Sequence, residues 1–487
     1  MSNLQIRQEK IQVKRKQTSF RNFVREIWAR APLMFYKNSG FISRFPVSNR
    51  TGKLVTYKEF DDYWWDFCSF GIVWNSGDFF WSLTDLYRNM IFTPMFTYWG
   101  SENSDYVDRS LWAKNCYLSS TIINGVENAL YSFSVKENCS NIMNSGIVWN
   151  NCSNVFDSRL IISSHSIFYS QHILDSSHIW YSHNLIGCHH CIWCSDLQNK
   201  SYCIGNIQYT KEEYILREKE YIRNGNVNYD RKYSIQTNIE CIDCENTMFG
   251  YQLSNCRNCA FVWWKFPNSY MFDCMNAWWS NAWENYDYYC VLWGGNGSSN
   301  IYSCIAFLNS TNLYYSINMT NCSFCLWCIA LKNKSYCILN KQYTKEERYE
   351  KVDEIFAQME KDWQLWEFFP ASMNPFYFND TAAYLIDPSF TKEEVTKLWY
   401  LRRDEPIKVD IPEWAITVKS DELGQFESID EQWNWKLDET VCKRVILDEN
   451  GDAYRIIPME LEFLQKHGLP LPRKHWLTRM KENFRIS

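Results

Sequence analysis

Cys188-His-His-Cys191-Ile-Trp-Cys194-x5-Lys200-Ser-Tyr-Cys203-Ile-x-Asn206-x-Gln-Tyr-Thr210-Lys-Glu-Glu213 returns 134 residues later as Cys322-x2-Cys325-Leu-Trp-Cys328-x5-Lys334-Ser-Tyr-Cys337-Ile-x-Asn340-x-Gln-Tyr-Thr344-Lys-Glu-Glu347. The constant offset marks an internal duplication, and a shorter period runs inside each copy. Val155, Ile167, Ile179, Cys191 and Cys203 are spaced by 12, as are Ile301, Leu313, Cys325 and Cys337. Three residues after each stands a small or polar one: Ser158, Ser170, Ser182, Cys194 and Asn206, then Cys304, Ser316, Cys328 and Asn340. Six after comes another apolar position, as in Ile161, Ile173, Leu185 and Leu197. A helix repeating every ~3.6 residues would not hold these columns, whereas turns stacked at the ~4.8 Å strand spacing would.

The expected fold is mainly β: two tandem short-period β-solenoids with a 12-residue repeat, over 115–207 and 238–341, each followed by a capping α-helix. One turn of the coil takes either 12 or 24 residues. Thr210 with Glu213, and Thr344 with Glu347, are capping boxes that open helices over 211–224 and 345–362, placed to cover the open coil ends. Small α+β modules flank them, giving segments 1–100, 101–226, 227–362 and 363–487. Within the flanks, 19–31 reads as a helix, 47–57 as a hairpin around Thr51-Gly52, and 78–97 as an aromatic segment. Thr391 opens a third capped helix, and Asn450-Gly451 marks a hairpin.

With 487 residues, 46% of them apolar, the chain can bury a large core. Its 24 Trp, 31 Tyr and 30 Phe favour strands and flat packing surfaces. The net charge of −6 hides an asymmetry: residues 1–31 and 465–487 together carry +11, and the remainder −17. Basic arms of this kind either touch nucleic acid or another acidic surface, or lie back on the acidic body. No apolar run approaches the ~18–20 residues of a membrane span. Charged residues stand where a signal peptide has its apolar stretch, so the expected compartment is cytoplasmic, with most of the 20 Cys reduced.

Trp64-Trp65-Asp66, Asn103-Ser-Asp-Tyr106, Lys114-Asn-Cys-Tyr117, the two Asn-Lys-Ser-Tyr-Cys-Ile segments, Glu367-Phe-Phe-Pro-Ala371 and Leu469-Pro-Leu-Pro-Arg-Lys-His475 form a combination spread over most of the chain. Together they resemble an uncharacterised family of Cys-rich repeat proteins from candidate-phyla bacteria. The resemblance implies the repeat architecture and flanking Cys-x2-Cys zinc-ribbon modules, and implies no activity. Here Ser48-Asn-Arg-Thr51 stands where knuckle cysteines would be, and Cys442 alone lies near the C-terminal hairpin. The flanking modules are therefore expected to hold no zinc.

Three sets of residues are candidate sites. Cys241, Cys244, Cys256 and Cys259 have four-thiolate zinc spacing. Against this, cysteines fall in columns where other repeats carry Ser or an aliphatic residue, which points to packed thiols. Six of the eight His lie within 165–190; His165 and His189 share one column and His178 and His190 the next. Such an edge could bind a metal, respond to pH or simply face water. Phe168, Tyr169, Trp180, Tyr181 and Trp193, with Tyr314, Tyr315 and Trp327, form aromatic ladders. Exposed, they would be a binding face for sugars or bases; covered, they would be where coils and helices pack.

No Gly-x-Ser-x-Gly elbow, phosphate-cradling loop or His-Glu-x2-His motif is present, so no catalytic residue is singled out. Asp157, Asp175 and Asp196 occupy three different columns, which argues against a carbohydrate-active enzyme. The expected function is non-enzymatic: a binding or scaffold protein presenting rigid solenoid faces to a protein or other macromolecule. Nucleic-acid binding through the basic termini and carbohydrate binding are the alternatives. No cofactor is expected beyond the zinc weighed above.

Overall fold

Val155 pairs with Ile167, Ile167 with Ile179, Ile179 with Cys191 and Cys191 with Cys203, all in parallel register. One turn of the coil therefore takes 12 residues, not 24. The computed structural model describes residues 100–104, 106–228, 298–362, 364, 369–404, 411–430 and 435–484. It also describes residues 25, 36–38, 41–43, 45–46, 50, 52–56, 59–60, 67–74, 79–93, 95, 239–242, 251–254, 271–278 and 288–295.

Each turn of the first solenoid carries two four-residue strands, such as Ser153–Phe156 and Arg159–Ile162, and each strand pairs with its equivalent one turn away. The long strand Ser119–Leu130 pairs with both Phe133–Lys136 and Ser140–Met143, joining the two stacks into one 15-stranded sheet. The coil begins at Val107, earlier than expected, and after a first 12-residue step its early turns hold one extra residue, as in Ser140 opposite Ser153. The second solenoid repeats the plan through Ser299–Tyr302, Thr311–Tyr314 and Ser323–Leu326. Backbone strands from Ile239 onward precede it.

The backbone explains the columns. Every third residue has positive φ: Asn154 at 54°, Asp157 at 50°, Leu160 at 59°, Ser163 at 47°, Ser166 at 58° and Tyr169 at 51°. A left-handed residue costs a non-glycine side chain roughly 1–2 kcal/mol, least for Asn and Asp. That preference accounts for the corner series Asn103, Asn115, Asn128, Asn141 and Asn154. The residue after each corner points inward, so four side chains fill the lumen per turn. Two are large and apolar, as in Ile167 and Ile173, and two are small, as in Ser170 and Ser176; all four are buried.

The helices flanking the body are α1 (Phe79–Asn89), α2 (Lys211–Asn228), α3 (Lys345–Lys361), α4 (Pro458–His467) and α5 (Trp476–Phe484). The Thr210 and Thr344 capping boxes form as expected. The helices do not cover the coil ends, however. They lie along the flank: Tyr214 of α2 meets His190 and Tyr202, and Phe356 of α3 meets Tyr314. The ends are instead closed by asparagine. Asn340 accepts from Ile329 N–H (2.7 Å) and donates to the Ile329 carbonyl (2.9 Å), standing in for the peptide of a further turn. Asn206 does the same at Ser195 (2.8 and 2.9 Å).

The terminal modules cross over the duplication. The N-terminal segment covers the second solenoid's end: Asn340 also donates to Phe67 O (3.1 Å), Ile72 N–H reaches Leu339 O (3.1 Å), and Phe79 of α1 packs on Trp327 (4.0 Å). The first solenoid's end, at Gly205, Asn206 and Ile207, is exposed. Composition follows cover, since buried Ile329 and Leu339 correspond to Ser195 and Gly205. The C-terminal module packs on the first solenoid through α4 and α5.

Two flank expectations change. Of the expected 47–57 hairpin, residues 47–49, 51 and 57 lie outside the described residues, and Lys53–Leu54 pairs in parallel with Ile91–Phe92 beyond α1. Gly52 is needed there because a Cβ would sit 2.4 Å from Met90 O. The hairpin in this region is Tyr36–Asn38 with Phe41–Ser43. The 19–31 helix lies outside the described residues except Arg25. The Asn450-Gly451 turn does join Val445–Leu447 to Ala453–Tyr454, with Gly451 at φ 82°. Among the described residues, no helix is long and apolar enough to cross a membrane.

Candidate functional site

The aromatic ladders stand in register but form no exposed face. Phe168 stacks on Trp180 (4.1 Å) and Tyr169 on Tyr181 (5.1 Å). His467 of α4 covers Phe168, and Phe463 covers Phe156. The Tyr181 hydroxyl donates to Ile222 O of α2 (3.1 Å), and Tyr221 meets Trp193 edge-on (5.5 Å). In the second copy Tyr314 stacks on Tyr302, Tyr315 meets Phe80 of α1, and Trp327 is fully buried under Phe79. Reading these eight rings as a binding face is therefore corrected: they are the seats of the helices and terminal modules. The reason is area, since an aromatic patch of this extent is stable in water only when covered.

The inward small columns are hydrogen-bonded ladders. Ser170 Oγ donates to Phe168 O (2.8 Å) and accepts from Ser182 N–H (3.1 Å), and Ser182 repeats this with Trp180 O (2.7 Å) and Cys194 N–H (2.9 Å). Cysteines take the same places. Cys188, Cys191 and Cys194 fill three inward positions of one turn with Cys203 stacked on Cys191, and Cys322, Cys325, Cys328 and Cys337 repeat the arrangement. Burial pushes the Cys304 thiol up to about 12 and Cys328 well above the ordinary thiol value, which keeps these two protonated. Of the zinc-spaced set, Cys244, Cys256 and Cys259 lie outside the described residues, and only the backbone of Cys241 is described.

One exposed face of the first solenoid is the polar edge that begins at Ser153. Ser153, His165, Ser177, His189 and Ser201 form one in-register row. Ser153 Oγ and His165 Nδ1 are 2.9 Å apart, as are Ser177 Oγ and His189 Nδ1. Alongside runs the corner row, whose carboxamides hydrogen-bond in series: Asn103 to Asn115 (3.2 Å), Asn115 to Asn128 (3.2 Å), Asn128 to Asn141 (3.0 Å) and Asn141 to Asn154 (3.2 Å). Ser166, His178, His190 and Tyr202 continue it. His165 and His189 share a column as expected, but Ser177 lies between them, about two strand spacings or ~10 Å in all. They cannot share an ion. His178 and His190 are adjacent and stack at 4.5 Å. Among the described residues, no group of three or more His, Cys, Asp or Glu is placed to hold a metal ion.

Buried polar networks that sequence reasoning missed fasten the modules. The Tyr131 hydroxyl donates to Glu460 Oε2 (3.0 Å) while Arg479 donates to Oε1 (2.9 Å). In the same way Tyr36 donates to Asp380 Oδ2 and Arg403 to Oδ1, both at 2.8 Å. The partners are 329 and 344 residues apart for the two tyrosines, so no local spacing could reveal them. Burial pushes the His467 and His475 imidazoles down to about 4, which keeps these C-terminal rings neutral against the aromatic side. The Asn206 and Asn340 end caps were also missed, although their identical place in the two copies was a usable signal.

Comparison with family models, curated proteins and solved structures finds no match to the chain.

Proposed function

We propose that the chain is a non-enzymatic binding or scaffold protein whose first solenoid presents its Ser/His/Asn edge to a macromolecular partner. One observation carries this reading: the aromatic sides are covered by α2, α3 and the terminal modules, whereas His165, His178 and His189 on the edge are exposed. The edge groups are held by their own hydrogen bonds on a parallel sheet, so docking freezes little side-chain motion. Hydroxyl, carboxamide and imidazole groups at a regular spacing suit a polar surface, of which a neutral polysaccharide is the simplest polymer.

The nucleic-acid alternative is weakened at the C-terminus, where Arg473, Lys474 and Arg479 pair with Glu427, Glu482 and Glu460. Arg473 and Arg479 thus lie back on the body, while Lys474 pairs within the arm. Retention on an immobilised neutral polysaccharide and on single-stranded DNA, compared between the native chain and Ser153→Arg/Ser177→Arg, tests the proposal. Salt-insensitive retention on the polysaccharide that is lost in the variant is expected. Retention that survives the two arginines, or binding to DNA alone that falls steeply with salt, would count against the edge.

A further inference from the structure

The duplication supplies its own control for the histidine stack. In the first copy His190 stacks on Tyr202 (5.1 Å, 9° between planes) and Tyr214 of α2 meets both rings edge-on. In the second copy Phe324 stacks on Tyr336 (5.2 Å, 9°) and Tyr349 of α3 meets Phe324 edge-on. The stacked pair is the same, but the edge-on ring of the second copy comes from the next helix position, Arg348 standing where the first copy has Tyr214; imidazole replaces phenyl at position 190, and the position before it in the column is His178 where the second copy has Asn312. The first stack can acquire charge and the second cannot.

The groups that face the pair decide what protonation does. His189 comes from the same strand, Tyr202 from the next strand, and Lys211, Tyr214 and Glu218 from α2. Glu218, which accepts from the Tyr214 hydroxyl (3.4 Å), lies near His178 and can answer one imidazolium. A second, 4.5 Å ring to ring from the first and beside Lys211, meets only like charge. The helices also differ in their grip. Arg348, Val352, Ile355 and Met359 of α3 are buried, whereas among the described side chains of α2 only Tyr214 is.

We infer that α2 is an acid-released cover: protonation of the stacked His178 and His190 frees it from the first solenoid and bares Tyr181, Trp193 and Tyr202, while α3 stays docked on the second. Burial, then His178, His189 and Lys211, lower the proton affinity of His190. The released state therefore binds more protons than the docked one. Docking strengthens with rising pH and is lost as pH falls below the ordinary imidazole value of ~6.5.

Amide hydrogen exchange on the full chain at about pH 7.5 and about pH 5, either side of ~6.5, corrected for intrinsic exchange, tests this, with α3 as internal reference. Protection over residues 214–222 should fall severalfold at the lower pH. Protection over α3 should not change. His178→Asn/His190→Phe, which installs the second copy's residues, should keep α2 protected at both pH values. Glu218→Gln, which removes the answering carboxylate, should move the loss to higher pH. Equal protection at both pH values in the native chain, or a loss in the double variant matching the native one, would overturn the inference. Unchanged protection of α3 and of 301–338 in the variants separates these results from misfolding.

Discussion

Ser164 and Cys188, two turns apart in one inward column, make the same pair of contacts. Ser164 Oγ lies 2.7 Å from Ile162 O and 3.5 Å from Ile173 O; Cys188 Sγ lies 3.4 Å from both Ile186 O and Leu197 O. Each takes the carbonyls two residues before and nine after itself, so a thiol replaces a hydroxyl bond for bond. The cysteine content of the solenoids follows from this equivalence. A slightly larger, less polar atom fills the lumen without leaving a carbonyl unsatisfied.

Removing the hydroxyl should therefore cost more than exchanging it. Ser164→Ala also deprives Ser176 N–H of its acceptor (3.0 Å) and should lose about 1–3 kcal/mol in denaturant unfolding. Ser164→Cys should stay within about 1 kcal/mol, comparable to a volume-tolerant swap. Equal losses from the two substitutions would show that the ladder bonds are not what holds the column.

The corners predict a different contrast. Asn141 combines positive φ (55°) with a carboxamide bonded to both neighbours. Asn141→Gly keeps the backbone free and loses only side-chain bonds. Asn141→Val adds a β-branched residue in left-handed conformation, a further cost of roughly 1–2 kcal/mol. Valine melting at or above the temperature of glycine would contradict the left-handed corner.

At the C-terminal module, Glu460 and Arg479 form a buried pair with Tyr131. Glu460→Leu should destabilise by about 3–5 kcal/mol by leaving the guanidinium uncompensated, and Glu460→Leu/Arg479→Met should recover much of that loss. Trp476, stacked on Tyr131 at 5.9 Å, reports module docking by its fluorescence. A double variant as unstable as the sum of the singles would mean that the pair is not coupled.

The α3 cap gives a pH dependence of known sign. The Thr344 backbone N–H and hydroxyl donate to Glu347 (3.0 and 2.9 Å), holding its carboxyl below the ordinary range. The unfolded chain thus binds this proton more readily than the folded one. The cap's contribution is complete above the unfolded value and lost as pH falls through the folded one. Glu347→Gln should flatten the acid limb of α3 protection, and an unchanged limb in the variant would contradict the assignment.

Much of the architecture was legible in the residues because the lumen imposes it: a 12-residue turn with four inward positions writes Val155, Ser158, Ile161 and Ser164 into the sequence as columns. The Thr210 and Thr344 caps were legible for the same local reason. The number of residues per turn was not, since two strands in a 12-residue turn and four in a 24-residue turn produce the same apolar spacing. Left-handed corners were visible only where Asn fills them, and Leu160 or Tyr169 give no such sign. The rings of Phe168 and Trp327 were legible as ladders, but what covers them comes from His467 and Phe79, far along the chain. The histidine columns were read correctly while their distances depended on the unread turn length.

The assignment of structural work to the rings and contact to the edge is tested most directly by comparing Phe168→Ala with Ser177→Arg for both unfolding and retention on the immobilised polysaccharide. Phe168→Ala should lose about 3–5 kcal/mol of stability and, where still folded, keep its retention. Ser177→Arg should melt with the native chain and no longer be retained. The reverse pattern, a stable Phe168→Ala that fails to bind beside a Ser177→Arg that binds normally, would contradict it.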